Sequence, residues 1–443
     1  MDMELNIPHG AEIILHTLEE AGYEAYIVGG CVRDSRLGRN PDDWDITTSA
    51  KPEQMKELFR RTVDTGLAHG TVTVLIGKEG YEVTTYRVDG DYKDGRHPEQ
   101  VMFTASLTED LKRRDFTINA MAYSPHRGLV DEFGGQEDLK NGIIRCVGDP
   151  LERFSEDALR IMRAVRFSAQ LGFSIEEDTR KALSVLAENL KFVSAERIQT
   201  ELVKLLISPH PEYLLTAYEA GITAEFLPEF DACMQTAQNT PHHCYDVGTH
   251  TLRAMEYVRP DKVLRLTMLL HDIGKPAVKT TDEDGRDHFK GHGPVGEKMA
   301  HEILRRLKFD NDTLKKVCRL IRWHDYRPDP SPRGVRRAVN KIGEDLFPMY
   351  LEVQKADMLA QSTYGREEKT ARIVGVEDEY ARLLERKDCV SLKTLAVTGN
   401  DLVKAGIKPG KQIGEILAAM LEEVLEDPSH NTKEYLLGTL EQE

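Results

Sequence analysis

Residues 26–50 read YIVGGCVRDSRLGRNPDDWDITTSA. An apolar run meets Gly29 and Gly30, an Arg33-Asp34 pair follows, and further on Asp43 and Asp45 flank Trp44. The run predicts a strand that enters a glycine turn and then a helix. Glycines let backbone approach a phosphate closely, and a helix start offers free N–H groups to an anion. Arg33 can add a charge-assisted contact. A plain strand-to-helix turn would have the same glycines; the aspartates separate the two readings. In a strand, residues two apart point to one face. Asp43 and Asp45 should therefore present adjacent carboxylates, with Trp44 turned to the opposite layer. Such a pair repels unless a divalent cation lies between. Magnesium takes oxygen ligands and keeps positions for phosphates. Two such ions can activate a hydroxyl and stabilise a leaving pyrophosphate. Asp42 is out of phase and should face solvent. Glu82, in YEVTTYR, is a possible third carboxylate; otherwise it is a solvated strand residue.

A second group follows in LKRRDFTINAMAY (111–123), which places Arg113, Arg114 and Asp115 ahead of a predicted apolar helix. Asp115 would cap that helix, and Arg114 could reach triphosphate oxygens. RFSEDALRIMRAVRF (153–167) reads as one helix, with Leu159, Met162, Val165 and Ala169 on its buried face. Glu156 and Asp157 lie four and three residues before Arg160 and share its flank. Spacing alone suggests a surface ion pair. Chemistry offers another role. A carboxylate accepts from an exocyclic amino group, and an arginine donates to a ring nitrogen. Cytosine and adenine share that pattern, whereas uracil and guanine present the reverse. Asp157 with Arg160 could therefore accept C and A without a template. Arg163 and Arg166 extend the basic row towards a triphosphate or an acceptor backbone.

The chain has 443 residues, 40% hydrophobic and 30% charged, with net charge −16. This is a globular composition with room for several domains. The acidic balance opposes nonspecific nucleic-acid binding, so any such site must be a local basic surface; no DNA partner is expected. There is no membrane-length apolar run and no secretory pattern at the start. The six cysteines are scattered, which fits a reducing, cytoplasmic setting. HGAEIILHTLEEAG (9–22) reads as an amphipathic helix. Short β-like runs follow, with TVTVLIG and YEVTTYR forming a hairpin about KEG. From Asp149 onward nearly everything reads as helix. The expected fold class is α+β, with domains at 1–148, 149–225, 226–365 and 366–443.

Histidines concentrate between 242 and 324: His250, His271 beside Asp272 in LLHDIGKP, His288, His292, and His324 beside Asp325. An adjacent His-Asp pair at the end of an apolar helix, joined by distant His and Asp such as Asp357, suits a divalent metal cluster. A structural role for these histidines is the simpler alternative.

GGCVRD, DWD, RRDFTINA and EDALR, in this order and spacing, resemble the class II tRNA nucleotidyltransferases, the CCA-adding enzymes of the polymerase-β superfamily. The tail LAVTGNDLVKAGIKPGKQIGEIL is similar to the family's bacterial C-terminus. The resemblance implies a polymerase-β-like head with a mixed sheet, a base-reading helical neck, a helical body and a tRNA-binding tail. It implies that Gly30 and Arg33 contact triphosphate and that Asp43 and Asp45 hold Mg2+. It places Arg114, Asp157, Arg160, Arg163 and Arg166 in the nucleotide site. It also implies that a tRNA 3′-hydroxyl attacks CTP or ATP, with basic patches for tRNA such as Lys191, Arg197, Lys204, Lys404, Lys408 and Lys411; solvated helix charges are the simpler reading of each of these lysines. The stretch 88–110 resembles the loop of members that add the final A. The histidine pattern resembles the HD phosphohydrolases. That likeness implies His250, His271, Asp272 and Asp357 as ligands of a divalent metal, with His292 and His324 at a second metal position or on phosphate. Some bacterial CCA-adding enzymes carry such a domain, with phosphatase and 2′,3′-cyclic phosphodiesterase activity. The alternatives are an A-adding enzyme, a poly(A) polymerase, and an HD phosphohydrolase with an RNA-binding N-terminal half.

Overall fold

The computed structural model describes residues 5–89 and 101–441, so residues 90–100 of the loop stretch 88–110 lie outside the described residues. The chain divides into two compact units, Met1–Phe226 and Leu227–Glu443.

The first unit opens with helix α1 (His9–Glu20), whose Ala11, Ile14, Leu15 and Leu18 are buried at helical spacing. Gly22, at φ 86°, ends it in the left-handed region that glycine tolerates. A seven-stranded sheet follows: β1 (Ala25–Val28), β2 (Ile46–Thr48), β3 (Thr62–Gly66), β4 (Thr71–Ile76), β5 (Glu79–Thr85), β6 (Ala122–Ser124) and β7 (Gly128–Val130). Its spatial order is β3-β4-β5-β2-β1-β6-β7. The sheet is mixed, because β2 runs parallel to β5 while the other pairs are antiparallel. Ile76 pairs with Glu79, so the hairpin turns at Gly77-Lys78 and not about the expected KEG.

Helix α2 (Gly30–Arg36) leaves β1 through the glycine turn, and α3 (Leu107–Lys112) packs over Tyr26, Val28 and Tyr86 through Leu111. The helix expected after Asp115 does not form. A single turn, Thr117–Asn119, leads instead into β6. The sheet wins because Ala122 pairs with Val28, so this apolar run is buried against β1; a short apolar run does not distinguish helix from strand by itself. The helix expected over 153–167 is two helices, α4 (Pro150–Glu156) and α5 (Leu159–Leu171). Asp157 breaks it at φ −139°, and its carboxylate accepts from the Leu159 N–H at 3.0 Å. Such local side-chain bonds compete with helical hydrogen bonds. Leu159, Met162, Val165 and Ala169 are buried as their spacing predicts. Helix α6 (Ala195–Leu206) packs on α5.

The second unit is helical. Its main elements are α7 (Val247–Glu256), α8 (Lys262–Leu270), α9 (His292–Arg306), α10 (Asn311–Trp323), α11 (Pro332–Ile342), α12 (Phe347–Ala360), α13 (Arg366–Arg386) and α14 (Lys411–Glu426). Every residue of α8 from Val263 to Leu270 is buried. A helix apolar on all sides belongs at a core, and it delivers His271 and Asp272 there.

Candidate functional site

In the first unit, Asp43, Trp44 and Asp45 directly precede β2. The Asp45 carbonyl accepts from the Val28 N–H at 3.0 Å and so extends the pairing with β1. Ile46 lies opposite Val83 in a parallel pair, which puts Asp45 beside Glu82. Asp43, Asp45 and Glu82 line one cavity of about 650 Å³. Trp44 lines it too and is half-buried, so it is not withdrawn to an opposite layer. The reason is local: the three residues enter the strand and are not yet part of it. Protein crowds one flank of the otherwise exposed Asp45. That desolvation, with Glu82 and Asp43, holds its carboxyl above the ordinary value, and only Arg114 pulls the other way. The site carries surplus negative charge at oxygen donors, a donor set that fits a hard divalent cation.

A second cavity, of about 660 Å³, joins Gly30, Arg33, Asp43 and Asp45 to Arg166 on α5 and Lys204 on α6. Gly29 sits at φ 82°, ψ −131°, and a Cβ there would lie 3.1 Å from an Arg114 guanidinium nitrogen. Gly30 opens α2. Arg33 is buried; it donates to Asp34 at 2.9 and 2.8 Å and to the Asn119 amide oxygen at 2.7 Å.

The other arginines are also held. Arg114 donates to Asp110 at 3.3 Å. Asp110 is fully buried, yet Arg113 and Arg114 outweigh that burial and keep its carboxyl below the ordinary range. Arg163 donates twice to Asp115, at 2.8 and 2.5 Å. Burial would raise the Asp115 carboxyl, but Arg163 and the Asn119 amide hold it well below its usual value. Asp115 is therefore no helix cap. Arg166 pairs with Glu201 at 2.5 Å and stacks 3.8 Å from the centre of the Phe167 ring. Burial pulls Arg166 down to about 10.

The expected flank of Glu156, Asp157 and Arg160 is only half formed. Arg160 donates to Glu156 at 2.6 Å and to the Arg113 carbonyl at 2.9 Å. Asp157 instead accepts from Arg197 at 2.7 Å, because the helix break swings it off the Arg160 face. Asp110, Asn119 and Glu201 were missed by sequence reasoning. Asp110 was within reach of it, lying three and four residues before Arg113 and Arg114. Glu201 carried no local signal, since only the packing of α5 on α6 brings it to Arg166.

In the second unit, His250, His271, Asp272, His292, His324 and Asp357 converge on one buried point. His250 Nε2 is 3.0 Å from Asp357 and 3.3 Å from His271 Nε2. His292 Nε2 is 3.0 Å from His324 Nε2. Asp272 stands between the pairs. Its Oδ2 is 3.2 Å from His271 Nε2, and its Oδ1 is 3.5 Å from both His292 and His324. The Nδ1 atoms of His271, His292 and His324 face the carbonyls of Met268, Phe289 and Ile321 at 2.7, 2.8 and 2.6 Å. Carbonyls only accept, which assigns the ring protons to Nδ1. Rings so pinned turn their Nε2 atoms toward one another, an arrangement that a cation between them would relieve. Burial opposes charge on His271, yet Asp272 and Asp357 outweigh it and raise its pKa to about 10: the carboxylates demand a positive charge here. Two ligand triads, His250/His271/Asp272 and Asp272/His292/His324, each close within 4.8 Å and share Asp272. A cavity of about 470 Å³ above them is lined by Lys275, Arg286, Lys290 and Arg327. His288 lies at its rim, paired with Asp282 at 2.8 Å.

Paired carboxylates at a strand entrance, facing a glycine turn on a mixed sheet, define a nucleotidyltransferase head. Residues 25–145 match the Poly A polymerase head domain family, 172–234 the RNA and SrmB-binding site of polymerase A, and 294–440 the tRNA nucleotidyltransferase domain 2. The chain is 38% identical over 428 residues to the CCA-adding enzyme of Lactobacillus helveticus, covering 97% of this chain and 95% of that one. It is 37% identical over 431 residues to that of Bacillus velezensis, covering 96% of each. The crystal structure of the Bacillus stearothermophilus CCA-adding enzyme in complex with CTP superposes with a TM-score of 0.74 at 30% identity, covering 98% of this chain and 96% of that one. The chain belongs to the CCA-adding enzymes, which are tRNA nucleotidyltransferases. Among the described residues no helix is long and apolar enough to cross a membrane.

Proposed function

We propose that this protein adds CCA to the 3′ end of tRNA from CTP and ATP, without a template, and releases pyrophosphate. The observation that carries the reading is the meeting of Asp43 and Asp45 with Gly30, Arg33 and Arg166 around one cavity, in a chain of this family. Asp43 and Asp45, with Glu82 beside them, would hold Mg2+. Bound magnesium would supply charge stabilisation at the transferring phosphate and lower the pKa of the attacking hydroxyl. The chain's own share is positioning and fixed charge. The Gly29-Gly30 turn brings backbone N–H groups to the triphosphate. Arg33, Arg114, Arg163 and Arg166 face it from places fixed by their carboxylate and amide partners. Asp157 would accept from the amino group of C or A and Arg160 would donate to the ring nitrogen, once Asp157 exchanges Arg197 and Arg160 exchanges its Glu156 and carbonyl partners for the base. In this reading 1–148 is the head, 149–225 the neck, 226–365 the body and 366–443 the tRNA-binding tail. A cytoplasmic setting agrees with six free cysteines.

The second unit supports a second activity. The facing Nε2 atoms astride Asp272 favour an HD-type centre of two divalent metals hydrolysing phosphate esters, with the cations above as its phosphate contacts.

The test of the main reading is tRNA ending at its discriminator base, supplied with CTP, ATP, or both. CTP alone should give two added residues, ATP alone none, and both together three. Addition of A only, to tRNA already ending in CC, would make this an A-adding enzyme. A long A tail would make it a poly(A) polymerase.

A further inference from the structure

The cations that face the catalytic cavity fall into two sets. Arg33 and Arg166, which line it, are each paired with a carboxylate, Asp34 and Glu201, as are Arg114 and Arg163 of the proposed nucleotide site, with Asp110 and Asp115. Their charge is balanced and their geometry fixed, which suits a small ligand that must be placed accurately. Arg39 and Lys204 differ. Both are exposed, both line the cavity that holds Asp43 and Asp45, and among the described residues neither is ion-paired. They come from separate elements. Arg39 follows the turn at Gly38 (φ 70°), its N–H bonded to the Asp34 carbonyl at 2.9 Å. Lys204 lies in the last turn of α6.

The same cavity wall carries Asp34, Asp42, Asp43 and Asp45. An RNA end bringing its 3′-hydroxyl here must bring its own phosphates past these acidic groups, on a chain of net charge −16. Repulsion falls with distance and with screening, but an acceptor strand at this depth has neither in full. Two long, uncommitted cations at the rim are what a flexible polyanion requires. Each can follow a backbone that moves as the end grows, whereas a guanidinium locked to a carboxylate cannot.

We infer that Arg39 and Lys204 grip the backbone phosphates next to the 3′-terminal nucleotide of the acceptor RNA, leaving the triphosphate to the paired arginines. The inference rests on the nucleotidyl-transfer reading above. Both are positioning residues, since neither is placed at the reacting atoms. A cation in the last turn of a helix also complements its C-terminal carbonyls; that role would not alter how RNA binds.

The test compares Arg39→Ala, Lys204→Ala and the double variant with the unaltered chain and with Lys181→Ala, an exposed lysine paired with Glu177 outside the cavity. Steady-state kinetics separate KM for tRNA from KM for CTP, and fluorescence anisotropy measures binding of tRNA lacking CCA. The double variant should raise both KM and Kd for tRNA about tenfold, with KM for CTP within about twofold. The dependence of log Kd on log salt should shallow by about 0.7 for each cation removed. Arg39→Lys with Lys204→Arg should restore binding, and Lys181→Ala should match the unaltered chain. A rise in KM for CTP with tRNA binding unchanged would assign the two residues to the triphosphate and overturn the inference; so would no change in either. Because anisotropy needs no turnover, the two failures read out separately: tRNA bound by a chain that never adds nucleotides would sink the transferase reading, whereas unchanged tRNA binding by the double variant of a chain that does add them would sink only this inference.

Discussion

The acidic group of the first unit and the histidine group of the second each present a donor set that fits a cation, arranged by opposite means. Asp43 and Asp45 are exposed, and with Glu82 they offer only oxygens to an open cavity. His250, His271, Asp272 and His324 are almost wholly buried, and the backbone pins the outer nitrogens of His271 and His324. The first arrangement suits a hard ion that arrives with a triphosphate and leaves with pyrophosphate. The second suits a borderline metal retained at rest. The contrast teaches that motif chemistry names the donor atoms, while burial and hydrogen bonding decide whether the ion stays.

The sharpest break of that contrast is Asp45→Ala. Labelled CMP incorporation should fall about a thousandfold or more, the scale of losing a principal electrostatic contact to the transition state. Metal bound in the second unit, read by elemental mass spectrometry, should not change. The converse variant is Asp272→Ala. It removes the carboxylate shared by both triads, so retained metal should drop from about two ions per chain to below one while CMP incorporation persists. Dialysis against a weak chelator should separate the sites in the unaltered chain, since added Mg2+ restores transfer at once while the second unit keeps its metal throughout.

Smaller effects probe the frame around the first site. Asp115→Ala leaves Arg163 without its partner, and unfolding of the first unit should be easier by about 3 kcal/mol. The pH dependence has a definite sign. The Asp115 carboxyl lies below its ordinary value when folded, so its contribution is present above the usual carboxylate range and is lost as pH falls below it. Asp115→Asn should flatten that acid limb in thermal melts. Gly29→Ala places a side chain at φ 82° against Arg114, at a cost of about 1–3 kcal/mol, with a raised KM for CTP. Lys181→Ala, an exposed ion pair, should change stability by less than about 0.5 kcal/mol.

Much of this was legible in the sequence, where the signal was local. Asp43, Asp45 and Glu82 line one cavity, though the aspartates lie before β2 and Trp44 shares it instead of turning away; the buried face of α5 follows its 3.6-residue period. The six scattered His and Asp residues converge because an apolar helix ending in His-Asp belongs at a core. What stayed hidden was decided by contacts distant in the chain. Asp157 left the helix, its carboxylate taken by the Leu159 N–H and Arg197. The run after Asp115 became a strand because β1 was there to pair with it. Arg166 found Glu201 across two helices. The hairpin slipped to Gly77-Lys78 because the Ile76–Glu79 pairing leaves only those two residues to turn.

The most direct test is anomalous diffraction from crystals of the unaltered protein grown with Mn2+ and a CTP analogue that cannot be cleaved. The account predicts manganese between Asp43, Asp45 and the triphosphate, and a separate pair of metal peaks on either side of Asp272. Manganese absent from the aspartates while the analogue occupies the cavity, or a single peak off the Asp272 carboxylate, would contradict it.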